Sequence, residues 1–342
     1  MNLVEKIQGV LGCTAIGDAM GSVTENLTFN QIREMFNGTL TEFVKPGKTA
    51  FALGNEAGEI TDDFSQVYLI LKEILNNNGL LDKEVVIKAI LEWSEIPKWF
   101  NRFAGPTTRT AIAMYKNPSL EMKPLPGAVT VDYASKATNG SAMKIAPAGI
   151  LNPGNIEGAI DDAIIIARVT HDNSLAISGA CAVAAATAAG LAENSIIEEA
   201  LSAGIYGAIR GETIAKKISR DVAGASVVER IKLALNIVEG VGTKEERLEK
   251  LAQIIGSGLH ISEAIPCAFG IVALNKNDAL QAVFDAVNIG YDTDTIAAIV
   301  GTMVGAFVDI HDERFSKLYD EVQIANDINI VELAKELATI VK

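Results

Sequence analysis

Apolar residues recur along most of this chain at three- and four-residue spacing, the period of a helix with one buried face. Over residues 3–20, Val4, Ile7, Val10 and Leu11 fall on one side. Phe64, Val67, Tyr68, Leu71, Ile74 and Leu75 repeat the pattern, and Asn76-Asn77-Asn78-Gly79 stops it. The same period predicts helices over 83–95, 107–115, 156–168, 173–192, 195–209, 225–238, 244–254, 262–274, 277–287, 294–308 and 326–341. No alternating run is long enough for a substantial sheet, and no period of 20–50 residues repeats, which excludes a solenoid. The pattern predicts an all-α fold in which residues 1–342 form a single large multi-helix domain.

Residues 174–192 are long enough to cross a bilayer, but Ala, Ser and Gly dominate the stretch and it begins beside His171 and Asp172. It is read as a central buried helix, with no membrane association. Two stretches interrupt the helical period. Residues 36–60 carry Gly38, Pro46, Gly47, Gly54 and Gly58; residues 117–152 carry Pro118, Pro124, Pro126, Gly127, Asn139, Gly140, Pro147 and Gly149. Long loops in a compact domain tend to be functional or disordered, and the first leads straight into an acidic run.

Composition narrows the function. Hydrophobic residues make up 49% of the chain and aromatics only 6%, so the core is built from small side chains that let helices approach closely. A net charge of −14 argues against a nucleic-acid partner, which needs clustered Lys and Arg to neutralise phosphates. Cys13, Cys181 and Cys267 form no CxxC pair, and three histidines are too few for a Cys/His zinc site. Buried reduced thiols and an N-terminus without a basic region, apolar stretch and cleavage site predict a cytoplasmic protein.

The candidate chemistry sits in two acidic runs, Thr61-Asp62-Asp63 and Asp292-Thr293-Asp294-Thr295, each opening an apolar helix. A capping role explains one or two residues of each. Attraction of a carboxylate to a helix N-terminus, ~0.3–1 kcal/mol, is too weak to gather four of them. Two carboxylates ~4 Å apart repel by roughly 4 kcal/mol at an effective dielectric near 20. If the runs converge, divalent cations would offset that repulsion, and an all-oxygen ligand set points to Mg²⁺, Mn²⁺ or Ca²⁺ rather than zinc. Two independently capped helices are the alternative.

Five segments occur in order between about residues 5 and 310: Gly17-Asp18-Ala19-Met20-Gly21 with Glu25, Thr61-Asp62-Asp63, Asn139-Gly140-Ser141-Ala142-Met143, Thr170-His171, and Gly290-Tyr291-Asp292-Thr293-Asp294-Thr295. Together they resemble the ADP-ribosylglycohydrolase family, which includes the dinitrogenase-reductase-activating glycohydrolases. The resemblance implies an orthogonal all-α fold and a centre of two Mg²⁺, with Mn²⁺ an alternative. Thr61, Asp62, Asp63, Asp292, Asp294 and Thr295 would be the metal ligands. Glu25 would be the mobile acid beside the metals, and Glu25 and Asp62 the catalytic pair. Gly140, Ser141, Ala142, Met143 and His171 would line the ligand cleft. The implied substrate is an ADP-ribosylated protein or an ADP-ribosyl small molecule.

Three positions depart from the family pattern. Phe64 replaces a Thr that often follows the two acids and would reshape the wall beside the ligand. Tyr291 stands where a second Gly is common and would place a ring at the cleft entrance. Lys144 replaces an Arg and cannot form that residue's bidentate fork. These departures open a second reading, a smaller N- or O-riboside as substrate; a third is a silent ligand-binding relative. Arg102 and Arg109, around Gly105-Pro106-Thr107-Thr108, read either as a phosphate grip or as part of a helix start. Trp93, Trp99 and Phe100 read as packing.

Overall fold

The computed structural model describes residues 1–48, 50–124 and 127–341; Pro126, one of the loop-breaking residues above, lies outside them. Among the described residues there are seventeen α-helices and no strands. The first six are α1 (Leu3–Thr24), α2 (Phe29–Met35), α3 (Asp62–Asn76), α4 (Lys83–Ser94), α5 (Pro97–Phe103) and α6 (Pro106–Lys116). After the second long loop come α7 (Ala146–Ile150), α8 (Ile156–Thr170), α9 (Ser174–Leu191), α10 (Ile197–Ile218), α11 (Val227–Glu239) and α12 (Lys244–Lys250). The last five are α13 (Ile261–Leu274), α14 (Ala279–Val287), α15 (Thr293–Val304), α16 (Glu313–Asn326) and α17 (Ile330–Ile340). The all-α reading holds.

Two helices form the centre. Helix α9 is fully wrapped by protein along its whole length, although it is apolar and long enough to span a membrane. Its neighbour α10 comes close because Gly204, Gly207 and Gly211 face it; a Cβ on Gly207 would stand 2.4 Å from the Cys181 carbonyl oxygen. Helix α1 is buried from Gly9 to Thr24 and packs against α15 through small residues one turn apart. A Cβ on Gly17 would lie 2.4 Å from the Ala297 carbonyl oxygen, one on Gly301 2.3 Å from that of Cys13, and one on Gly305 2.4 Å from that of Gly9. At the end of this seam a Cβ on Gly21 would meet the Asp294 Cα at 2.5 Å. Glycine is required there because backbone meets backbone. Buried hydroxyls join the same pair, Thr14 to Thr302 at 2.9 Å and Thr293 to the Gly21 carbonyl at 2.8 Å.

Several elements escape the periodicity. Helix α16 carries Phe315, Leu318, Tyr319 and Val322 inward at helical spacing, but charged residues outnumber them and mask the stripe. Helices α2, α5 and α7 are five to seven residues long, too short for a periodic signal. Arg109 donates to the carbonyls of Ala104 and Phe100, and Arg102 to Asn55 Oδ1 and the carbonyls of Ala52 and Leu53. Both arginines therefore hold backbone together rather than offering a phosphate grip. Trp93 is fully buried with its Nε1 on Ser65 Oγ at 2.8 Å, and it packs edge-on against Phe100, as read. All three cysteines are free and buried.

Candidate metal centre

A residue with an oxygen-bearing side chain before a helix ordinarily caps it, accepting a hydrogen bond from the second or third backbone N–H. Asn2, Thr28, Asp82, Asn155, Asn173, Ser226, Thr243, Asp278, Asp312 and Asn329 all do so for their own helices. Among the described residues, two of this type make no such bond: Thr61 before α3 and Asp292 before α15. These are the openings of the two acidic runs.

At α3 the cap comes from another helix. Asp18, buried in the middle of α1, accepts the Thr61 N–H at 3.0 Å, the Thr61 hydroxyl at 2.6 Å and the Phe64 N–H at 2.9 Å. Its own carboxylate satisfies the first turn, so Asp62 and Asp63 are free to face elsewhere. At α15 the Asp292 carboxylate accepts from the Asn139 side chain. The Asn139 N–H in turn donates to the Leu259 carbonyl at 2.8 Å, which ties the Gly140 loop to the segment before α13.

Asp18 holds the first run against α1, and the close α1–α15 seam brings the second run to the same end of α1, beside Glu25. Carboxylate oxygens of Glu25, Asp292 and Asp294 lie within 4.8 Å of one another. Asp62 and Asp18 act electrostatically on the same group, and Asp63 feels all of Asp294, Asp18, Asp62 and Asp292. Burial, then mutual repulsion, pushes Asp62, Asp63 and Asp292 well above the usual carboxylate range, and pushes Glu25 up to about 11. Asp18 rises to about 7, burial outweighing its three hydrogen bonds. None of these six carboxylates forms an ion pair among the described residues. Two of their buried oxygens, Glu25 Oε2 and Asp63 Oδ1, have no hydrogen-bond partner among the described residues. Buried and crowded carboxylates fit a divalent cation, because the one ammonium that acts on them, that of Lys144 on Asp62 and Asp63, leaves most of their charge unbalanced.

Access is through few groups. Asp62, Glu25 and Gly140 are partly exposed, and Tyr291 is 50% exposed at the rim. Thr61, Asp63, Asp292, Asp294 and Thr295 are buried behind them. The Tyr291 backbone is left-handed, φ +66°, an outlier for a bulky residue. It is held there by its N–H on the Leu27 carbonyl at 2.8 Å and its carbonyl on the Asn26 N–H at 2.7 Å. These two bonds join the segment carrying Glu25 to the one carrying Asp292. The ring rests on Gly258, where a Cβ would stand 2.4 Å from it.

Other expected cleft residues sit deeper. Ser141, Ala142 and Met143 are buried, and the Ser141 hydroxyl already donates to the Ala176 carbonyl at 3.0 Å. His171 is buried with both ring nitrogens engaged, Nε2 with Thr138 Oγ1 at 2.8 Å and Nδ1 with Thr170 Oγ1 at 2.7 Å. Burial and the charges of Lys144 and Lys136 hold it well below the usual imidazole range, so the ring is neutral. It packs on Gly140, where a Cβ would come within 3.0 Å of the ring. The Phe64 ring is fully buried in the core and forms no wall of the opening, since the helix turns it away from the side that Asp62 faces. Beyond His171 lies a cavity of about 1240 Å³, with Tyr115, Tyr133, Lys136 and Arg220 in its lining and none of the six carboxylates. There the Arg220 guanidinium stacks 3.6 Å over the Tyr133 ring.

Asp18, Asn139 and Lys144 are part of the site that the acidic runs alone do not reveal. Asp18 had a signal, a carboxylate within the buried stretch from Gly9 to Thr24 that holds no other charge, and Asn139 directly precedes the Gly-Ser loop.

The family model for ADP-ribosylglycohydrolase matches residues 1–339. The chain is 30% identical over 308 residues to YegU of Escherichia coli, covering 88% of this chain and 87% of that protein. It is 25% identical over 310 residues to ADP-ribosylarginine hydrolase Tri1 of Pseudomonas putida, covering 89% and 70%. Human ADP-ribosylhydrolase ARH3 is 22% identical over 320 residues, covering 89% and 85%. A solved structure, described as an ADP-ribosylglycohydrolase-related protein complex, superposes with a TM-score of 0.67 at 22% identity, covering 100% and 99% of the two chains.

Proposed function

The chain belongs to the ADP-ribosylglycohydrolase family of hydrolases, and from that membership and the geometry of the two helix starts we infer a magnesium-dependent hydrolase of ADP-ribosyl glycosidic bonds. The substrate is an ADP-ribosylated protein or an ADP-ribosyl small molecule, the class named for Tri1 and ARH3. The observation that carries this reading is the meeting, in one buried carboxylate cluster with Glu25, of two helix starts whose own first residues do not cap them.

Thr61, Asp62 and Asp63 on one side, with Asp292, Asp294 and Thr295 on the other, would hold the ions. This oxygen-only set suits two Mg²⁺ and admits Mn²⁺. Divalent cations bound there would supply Lewis-acid polarisation of ribose hydroxyls and compensate the crowded charge. The chain's own groups carry the proton traffic. Glu25, partly exposed and with an unpartnered Oε2 among the described residues, would pass a proton to the leaving group. Asp62, also partly exposed, is the second carboxylate that glycosidic hydrolysis uses, acting as base toward the attacking water. Gly140 offers backbone at the rim, and neutral His171 holds the loop's shape through Thr138.

Free ADP-ribose released from ADP-ribosylated arginine, serine or acetyl substrates, measured by chromatography with Mg²⁺ and with EDTA, tests the reading. Release that EDTA abolishes is the expected result; release indifferent to EDTA, or none, overturns it. Tyr291 favours a second reading. A half-exposed phenol in a left-handed backbone narrows the mouth and suits a small N- or O-riboside. Nucleosides opened in the same assay, with ADP-ribosyl substrates untouched, would establish it.

A further inference from the structure

We propose that Lys144 is a built-in counter-charge of the metal centre, a positioning residue that keeps the metal-free carboxylate cluster folded and holds cation affinity down. The inference rests on the metal reading above. Lys144 is fully buried, in the turn between the Gly140 loop and α7. An ammonium has three protons to donate, and burying it is costly unless it is paired. Among the described residues it makes one hydrogen bond, to Gln66 Oε1 at 3.0 Å.

Gln66 lies one turn after Asp62 and Asp63 on α3; burial pulls the ammonium down to about 8, and those two carboxylates are the charges that act against that pull. Gln66 gives its acceptor to the lysine and keeps a buried Nε2 with no partner. A lysine serving only its local packing would not leave such a neighbour. Its position is explained by Asp62 and Asp63, which form no ion pair with any other cation among the described residues. An uncharged chain of similar length would fill the same space without the desolvation cost of a charge.

The charge has two opposite consequences. Without metal, it offsets part of the repulsion among Asp62, Asp63 and their neighbours. With metal, it repels the incoming cation, so binding is weaker than the carboxylates alone would give. A lysine of merely structural importance would change stability and leave no such opposed signature.

The test uses the full-length chain and Mn²⁺ alone, titrated by electron paramagnetic resonance, with melting followed in EDTA. Lys144→Met and Lys144→Gln are expected to bind Mn²⁺ about tenfold tighter or more, and to melt lower in EDTA than the wild type. Lys144→Arg keeps the charge and should stay within about twofold of the wild-type affinity, a difference of under about 0.5 kcal/mol. A neutral variant that folds only with Mn²⁺ present also supports the proposal. Unchanged or weaker Mn²⁺ binding in the neutral variants overturns it, as does unfolding with and without Mn²⁺ alike. Wild-type protein that binds no Mn²⁺ is a different failure, one that removes the metal reading itself.

Discussion

The chain begins its helices in two ways. At the periphery, Thr243 before α12 accepts the Glu246 N–H while the Glu246 carboxylate accepts the Thr243 N–H, so the helix closes its own end. Thr28 and Gln31 do the same for α2. At α3 and α15 the same residue types stand in the same position, yet their side chains leave their own helices uncapped. Asp18 caps α3 from a different helix, and Asn139 engages Asp292. A self-contained cap is satisfied locally and needs nothing further. A cap supplied from elsewhere frees carboxylates to crowd together, at a cost in repulsion that makes sense when a ligand offsets it. A capping residue that does not cap its own helix is thus a sign of a site.

That contrast can be broken most severely at the carboxylates. Asp62→Asn and Asp292→Asn, taken singly, should lower hydrolysis about 10²–10³-fold and erase the thermal shift produced by Mg²⁺. Metal-free protein should melt no lower than the wild type, because repulsion is relieved; a retained Mg²⁺ shift would remove the ligand assignment. Next, Asp18→Ala strands the Thr61 and Phe64 N–H groups, so denaturant unfolding should show a loss of about 2–3 kcal/mol together with a weakened Mg²⁺ shift. Stability unchanged by this substitution would mean the cap from α1 is not needed.

Gly21→Ala tests the seam that makes the runs meet. Its Cβ would press on Asp294 backbone, and a loss of about 1–3 kcal/mol with a reduced Mg²⁺ shift is expected from the same measurements. The smallest effect belongs to the peripheral comparison. Thr243→Ala should cost about 1 kcal/mol and leave both hydrolysis and the Mg²⁺ shift as they are. If it altered either, the two classes of helix start would not be functionally distinct.

Much of this was legible in advance for reasons that stay local. Helical periodicity reports burial of one face, so long stripes such as that of α3 are visible, whereas five-residue α7 and the charge-masked α16 are not. The central place of α9 follows from its Ala- and Gly-rich composition. Phe64 shows the opposite case. Next to two acids it looks like a wall of the opening, but a helix turns successive side chains about 100° apart, and its ring points into the core.

The helical class, the small-residue faces and the presence of two oxygen-rich runs are therefore readable from the chain alone, because each is written in neighbouring residues. That the runs converge, that Asp18 releases one of them from capping, and that Lys144 meets Gln66 one turn after it come from packing between distant helices. Those facts depend on Gly17, Gly21, Gly301 and Gly305 letting two helices from opposite ends of the chain touch backbone to backbone, across a separation no local pattern records.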